Sequence, residues 1–169
     1  STTANDFPTT SGAFQEDHNG DSDIIVSHFS SDGSELIGST YMGGSLSDGR
    51  NLYSINYGDT YRGEIILDEG EKPLIASFAS SGDFPTTLNA YQSGNTGGQD
   101  AVVFRMNALL TNLEACTMLG SSENDSGYGV RVTSSGDIYV AGMAGASNFP
   151  LTAGAYQTEF LGGGDEWSG

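Results

Sequence analysis

The sequence contains one cysteine, one lysine and only five basic residues in 169, and each scarcity excludes something. Cys116 has no internal partner for a disulfide, so stability must come from packing between structural units. It stands in an apolar run and reads as a buried structural thiol rather than a nucleophile. Five basic against 22 acidic residues leave a net charge of -17. Binding polyphosphate needs a clustered basic face, so nucleic acid and anionic lipid surfaces are both excluded as partners. A divalent cation is the one inorganic partner that this charge invites. No run of ~18 apolar residues is present, so no membrane insertion is expected, and no charged-then-apolar leader precedes Ser1. Helix signals are scarce too: 25 glycines and abundant Ser and Thr separate apolar runs of only four to eight residues.

What is present is a repeat. Asp6-Phe7-Pro8-Thr9-Thr10 returns as Asp83-Phe84-Pro85-Thr86-Thr87 and as Asn148-Phe149-Pro150-Leu151-Thr152. Each copy is followed at one fixed spacing by an Ala-aromatic-Gln triplet, Ala13-Phe14-Gln15, Ala90-Tyr91-Gln92 and Ala155-Tyr156-Gln157. At a second fixed spacing comes an aspartate: Asp23, Asp100 or Asp165. A period of this size marks a solenoid or propeller, whose units cannot bury their apolar faces alone. The organisation read from it is 1-5 as the end of a preceding unit, 6-82 as a first complete repeat and 83-147 as a second. Residues 148-169 are the start of a third, so the chain reads as a fragment of a longer array.

Within each repeat the pattern predicts four short strands. They are placed at 23-29, 36-44, 65-67 and 74-78, and again at 100-106, 113-120, 130-132 and 138-142. Asp32-Gly33, Asp68-Glu69-Gly70 and Ser134-Ser135-Gly136-Asp137 are hairpin turns, where Gly supplies the positive φ. Each unit is therefore expected to be a four-stranded antiparallel meander, all-β, finishing before the next Phe-Pro. The first strand of each unit is apolar nearly throughout, as a strand covered on both faces would be. Radially stacked blades supply that cover. Proline at the Phe-Pro element keeps the chain extended as it crosses to the next unit, with Phe7, Phe84 and Phe149 as anchors.

These motifs resemble the SBBP repeat, the bacterial seven-bladed β-propeller repeat, over essentially the whole chain. Thr40-Tyr41-Met42-Gly43-Gly44 is similar to the family's Thr-Tyr-Leu-Gly-Gly signature, and 136-142 is similar to its Gly-Asn-Ile-Tyr-Val-Thr-Gly strand. Cys116-Thr117-Met118-Leu119-Gly120-Ser121 and Lys72-Pro73-Leu74 depart from the pattern. The resemblance implies a propeller scaffold without catalytic residues in a large secreted or cell-surface bacterial protein. Such a scaffold acts as a spacer, in adhesion, or in binding protein or glycan beside neighbouring domains of its polypeptide. The alternative reading is the propeller portion of a carbohydrate-active enzyme, a glycoside hydrolase or lyase whose site lies partly outside this chain.

Residues common to all units hold a scaffold, so unrepeated ones are the candidates for a partner. Phe7 to Phe84 is 77 positions and Phe84 to Phe149 is 65, a difference of 12 that marks an insertion near 46-60. Its polar and aromatic residues, Arg50, Asn51, Tyr53, Asn56, Tyr57, Asp59 and Tyr61, suit a flat polar ligand such as a carbohydrate or a partner protein. The competing reading is a longer hairpin that covers a sheet edge. Asp21 and Asp23, in Asn19-Gly20-Asp21-Ser22-Asp23, offer oxygens for calcium but lack the later bidentate glutamate of an EF-hand. A solvated acidic turn is the other reading, with Asp23, Asp100 and Asp165 bonding backbone amides. His18 and His28 have no companions at ligand or triad spacing, and acidic pairs such as Glu16-Asp17 are too common here to single out a glycosidase site.

Overall fold

A computed structural model describes residues 1-52 and 59-161. It is all-β, with eight antiparallel strands in three sheets and no α-helix among the described residues. The strands are β1 (Ile24–Phe29), β2 (Leu36–Met42), β3 (Glu64–Leu67), β4 (Pro73–Ala79), β5 (Asp100–Met106), β6 (Leu113–Leu119), β7 (Ser126–Val132) and β8 (Ile138–Met143). Turn chemistry closes the hairpins. Gly33 and Gly136 take φ of 73° and 91°, and Asp68 accepts hydrogen bonds from the amides of Gly70 (2.8 Å) and Lys72 (3.0 Å). In that last turn the positive φ falls on Glu71 rather than on Gly70.

The pairing departs from the expected meanders. β1 pairs with β2, and β7 with β8, in two-stranded sheets. The four-stranded sheet runs β3-β4-β5-β6 and so takes two strands from each repeat. It straddles Phe84-Pro85 instead of ending before it. After β2, Gly44 N-H donates to the Asp48 carboxylate at 2.7 Å, and after β6, Ser121 N-H donates to Asp125 at 2.6 Å. Each clamp closes the turn that follows its strand, and β3 and β7 join other neighbours. The long Phe-Pro segments instead lie along those same edges. Thr10 and Tyr41 bond across with Ser39 and Gln15, and Thr87 and Met118 do so with Cys116 and Gln92. The outer edges of β2 and β6 are thereby covered.

The three sheets stack, with the four-stranded one in the middle. Every residue of β4 is buried. On one face Ile75, Val102 and Phe104 pack with Ile24, Val26 and Met42 of the first sheet. On the other, Leu74, Ala76 and Ile66 pack with Val130, Val132 and Val140 of the last. A strand covered on both faces has no polar side, which is why β4 and β5 read as apolar runs. Phe84 is 3% exposed and lies 6.5 Å from the Phe104 ring, and half-buried Phe7 meets Tyr41 edge-on at 6.0 Å. The Phe-Pro aromatics are therefore packing residues.

Candidate functional site

The repeated polar residues are engaged in holding the scaffold. The Gln15 backbone donates to the Thr40 hydroxyl (3.0 Å), and its side chain accepts from Gly43 N-H (3.1 Å) and donates to Asp23 (3.1 Å). Gln92 repeats the set with Thr117 (3.0 Å), Gly120 (3.0 Å) and Asp100 (2.5 Å). Asp23, fully buried, also accepts from Asn19 N-H at 2.8 Å; Asp100 accepts from Thr96 N-H at 2.8 Å. One oxygen of each, Oδ1, has no hydrogen-bond partner. Burial raises the Asp23 carboxyl to about 6 despite the amide donors, and raises Asp100 and Asp48 for the same reason. Asp21 is exposed, and its amide donates to Leu46 O at 3.0 Å. The calcium candidates are thus not drawn into a common cluster of three or more ligating side chains among the described residues.

A second repeated acid went unnoticed in the sequence. Asp48 accepts from the Ser81 hydroxyl (2.7 Å) and from the amides of Gly44 (2.7 Å) and Ser80 (3.0 Å). Asp125, 77 positions on, takes Ser121 N-H (2.6 Å), the Ser121 hydroxyl (2.8 Å) and Gly145 N-H (2.9 Å). Their shared four-residue spacing from Gly44 and Ser121 was the available signal. The repeat therefore continues through Asp48, and the extra residues lie between Gly49 and Gly63.

The described base of that insertion is pinned to the last sheet. Asn51 is buried; its amide donates to Thr60 O at 2.7 Å and its side chain to the Tyr128 hydroxyl at 3.4 Å. Leu52 N-H reaches Gln99 at 3.3 Å. Arg50 is half-buried, Asp59 opens a short 3-10 turn (Asp59–Tyr61), and Tyr61 is 61% exposed. Tyr53, Asn56 and Tyr57 lie outside the described residues. Of the candidates that can be placed, Asn51 faces inward and Tyr61 outward.

Beside this base runs an open groove of about 610 Å³, between β3 and the β7-β8 hairpin. Arg62, Glu64, Tyr128 and Arg131 line it, with Gly63, Gly129 and Gly142 leaving its floor bare. The Arg62 guanidinium lies over the Tyr128 ring, 5.2 Å from its centre. Glu64 accepts from Arg131 at 2.6 Å and from Val130 N-H at 2.5 Å, and these bonds hold its carboxyl below the usual range, the Arg131 bond most. Pairing register equates β3 with β7, since Ile65 faces Ile75 as Val130 faces Val140. On that alignment, 65 positions apart, Arg62 matches Gly127, Gly63 matches Tyr128, Glu64 matches Gly129 and Ile66 matches Arg131. All four charged or aromatic residues of the groove stand where the other unit has something different. Two of the chain's five basic residues meet there.

The remaining candidates are structural. His18 lies edge-on to Tyr41 at 5.5 Å, and His28 Nδ1 is 2.9 Å from Ala108 O. The Cys116 thiol is buried and pushed up to about 12 by burial. No described helix is long and apolar enough to cross a membrane. No family model, curated protein or solved structure matches the chain.

Proposed function

We propose that this chain is a noncatalytic β-propeller segment of a large secreted or cell-surface bacterial protein, a scaffold for adhesion that binds a glycan or a protein partner. The observation that carries the reading is the groove, where unrepeated residues converge on a scaffold whose repeated polar residues are already engaged with one another. Facing sheets support the propeller reading, since β7 lies against β3, β4 and β5 of the sheet before it, as the sheets of neighbouring blades pack. An aromatic ring with a guanidinium over it and an Arg-Glu pair beside it offers both a flat surface and directional hydrogen bonds, the combination that recognises polar, planar ligands.

Affinity electrophoresis on a panel of polysaccharides and a surface-protein array tests this. Retention without product is the expected result, and Arg131→Ala together with Arg62→Ala should weaken it about tenfold or more. Release of new reducing ends that disappears in Glu64→Gln would replace the scaffold reading with that of a carbohydrate-active enzyme.

A further inference from the structure

We infer that the groove takes a glycan through an isolated carboxylate, that of a uronic acid residue, gripped by the donor fork of Arg131. The inference rests on the groove being the recognition site and goes further by fixing the chemistry of what it recognises. Charge singles the place out. In a chain of net charge -17, Lys72 is paired with Glu114 at 2.8 Å and Arg105 with Asp68 at 3.4 Å. The groove lining instead holds two arginines, Arg62 and Arg131, against one carboxylate, Glu64, and so carries one net positive charge (two minus one). Arg131 can use it. Both Nη1 protons have acceptors, Glu64 Oε1 at 2.6 Å and Val130 O at 2.5 Å. What remains is the pair of parallel donors on Nε and Nη2, which have no acceptor among the described residues, on a side chain that is 70% exposed. That edge matches the two oxygens of a carboxylate.

Glu64 fixes the fork in place. Its second oxygen takes Val130 N-H at 2.5 Å, so the acid bridges the β7 backbone and the guanidinium, and those bonds keep it ionised by holding its carboxyl below the usual range. The rest of the lining fits a sugar better than a protein partner. Apart from Ala141 and the Tyr128 ring it holds no apolar side chain, and so lacks the deep anchoring pocket on which protein interfaces depend. Its volume of about 610 Å³ is within the range of small-ligand clefts, and Gly63, Gly129 and Gly142 let a ring lie close to the backbone. The surrounding acidity sets how much charge the ligand can carry. A polymer charged on every sugar, or one clustered with sulfates, is repelled by the chain's 22 acidic residues. The ligand therefore spaces its carboxylates between neutral sugars.

The probes are a glucuronic acid-xylose disaccharide, its methyl ester and xylobiose, each titrated into the whole chain and followed by NMR at the Arg131 Nε-H. The acid should saturate, move that resonance and bind about tenfold tighter than the ester or xylobiose, with the preference shrinking at about 0.5 M NaCl. Arg131→Lys keeps the charge but loses the fork, and should remove the preference as fully as Arg131→Ala does. Lys72→Gln, which removes a charge outside the groove, should leave it intact. Both side chains are exposed, so thermal midpoints should stay within a few degrees. Equal binding of acid and ester, a preference that survives in Arg131→Lys, or the same loss in Lys72→Gln overturns the inference and leaves the scaffold reading standing. So does equal binding of acetyl-Ala-Glu-Ala-amide, which would assign the fork to an acidic peptide. If neither disaccharide binds at about 10 mM while a polysaccharide or surface protein is retained, the uronate inference alone falls. If nothing is retained, the recognition reading falls with it.

Discussion

Replacing Asp23 with asparagine should change how stability depends on pH more than it changes stability itself. The Asp23 carboxyl is fully buried, accepts two hydrogen bonds through Oδ2 and has an unpartnered Oδ1. Burial lifts it from 3.8 to about 6. A folded value above the unfolded one means that folding is favoured by the protonated form. That stability is fully present below about pH 3.8, is lost as pH rises through about 6 and stays lost above it. At about 1.4 kcal/mol per unit, the loss is about 3 kcal/mol. Exposed Asp32, held near 2 by the Ser30 and Ser34 hydroxyls, acts in the opposite sense but between about pH 2 and 4. Glu64, Asp68 and Asp83 are also held below their usual range and act with Asp32, while Asp48 and Asp100 are displaced upward with Asp23, so the part due to Asp23 is read from the difference between parent and variant. An asparagine side chain at this position would keep an oxygen for Asn19 N-H and the Gln15 amide and could not ionise. Urea unfolding at pH 4 and pH 7 should show the parent weaker at pH 7, with the gap smaller in Asp23→Asn by up to about 3 kcal/mol. Asp21→Asn, which removes an exposed charge two residues away, should leave the gap alone. An unchanged gap in Asp23→Asn, or a larger one, refutes the reasoning.

Phe104→Ala removes a ring 1% exposed between the first two sheets and should cost about 3 to 5 kcal/mol in urea unfolding; a cost below about 1 would mean that the sheets do not pack through it. Gln92→Ala strands Gly120 N-H and removes a donor from buried Asp100, so a loss of about 2 to 4 kcal/mol is expected, and an unaffected midpoint would show that this clamp is dispensable. The Cys116 thiol, buried and pushed up to about 12, should resist a charged disulfide reagent at pH 7.5 and react only in denaturant. Fast modification of the native protein would place it at the surface.

Most strand positions were legible in the sequence to within two residues, but 130-132 caught only the last three residues of β7 (Ser126–Val132). The run 100-106 is β5 without adjustment, and 113-120 overshoots β6 by one position. The reason is physical: apolar runs bounded by Asp-Gly and Ser-Gly-Asp turns leave a chain few other conformations. Pairing was not legible. Four strands between two Phe-Pro elements look like one sheet, yet which neighbour a strand joins is set by the connections. Those are closed by clamps such as Gly44 to Asp48. Asp48 was hidden because it adjoins the insertion, where the two units cannot be aligned by eye. Arg62, Glu64, Tyr128 and Arg131 were invisible for a related reason: no two of them fall at matching places in the repeat, and only the stacking of β3 beside β7 and β8 brings them together.

The offset between sequence repeat and sheet has a consequence for where a partner can bind. The four-stranded sheet is built from the end of one unit and the start of the next, so the two units are tied together by β4-β5 backbone pairing as well as by side-chain packing. Phe-Pro segments cover the β2 and β6 edges, while among the described residues no strand pairs with the outer edge of β3. The insertion leaves the chain at that margin, between Gly49, whose amide bonds Phe78 O, and Glu64, which pairs with Ala76. In the second unit, β7 runs through the equivalent place from Ser126 to Val132, broken only by a bulge between Gly127 and Gly129. The extra residues thus interrupt one edge strand and leave the ladder beneath it in register. Sequence can vary there without disturbing β4 or β5, and it is there that Arg62 and Glu64 meet Tyr128 and Arg131. A scaffold that confines variation to one margin can change its ligand while keeping its core, which is the physical sense in which this groove, rather than the repeated Asp and Gln residues, is the place to look for recognition.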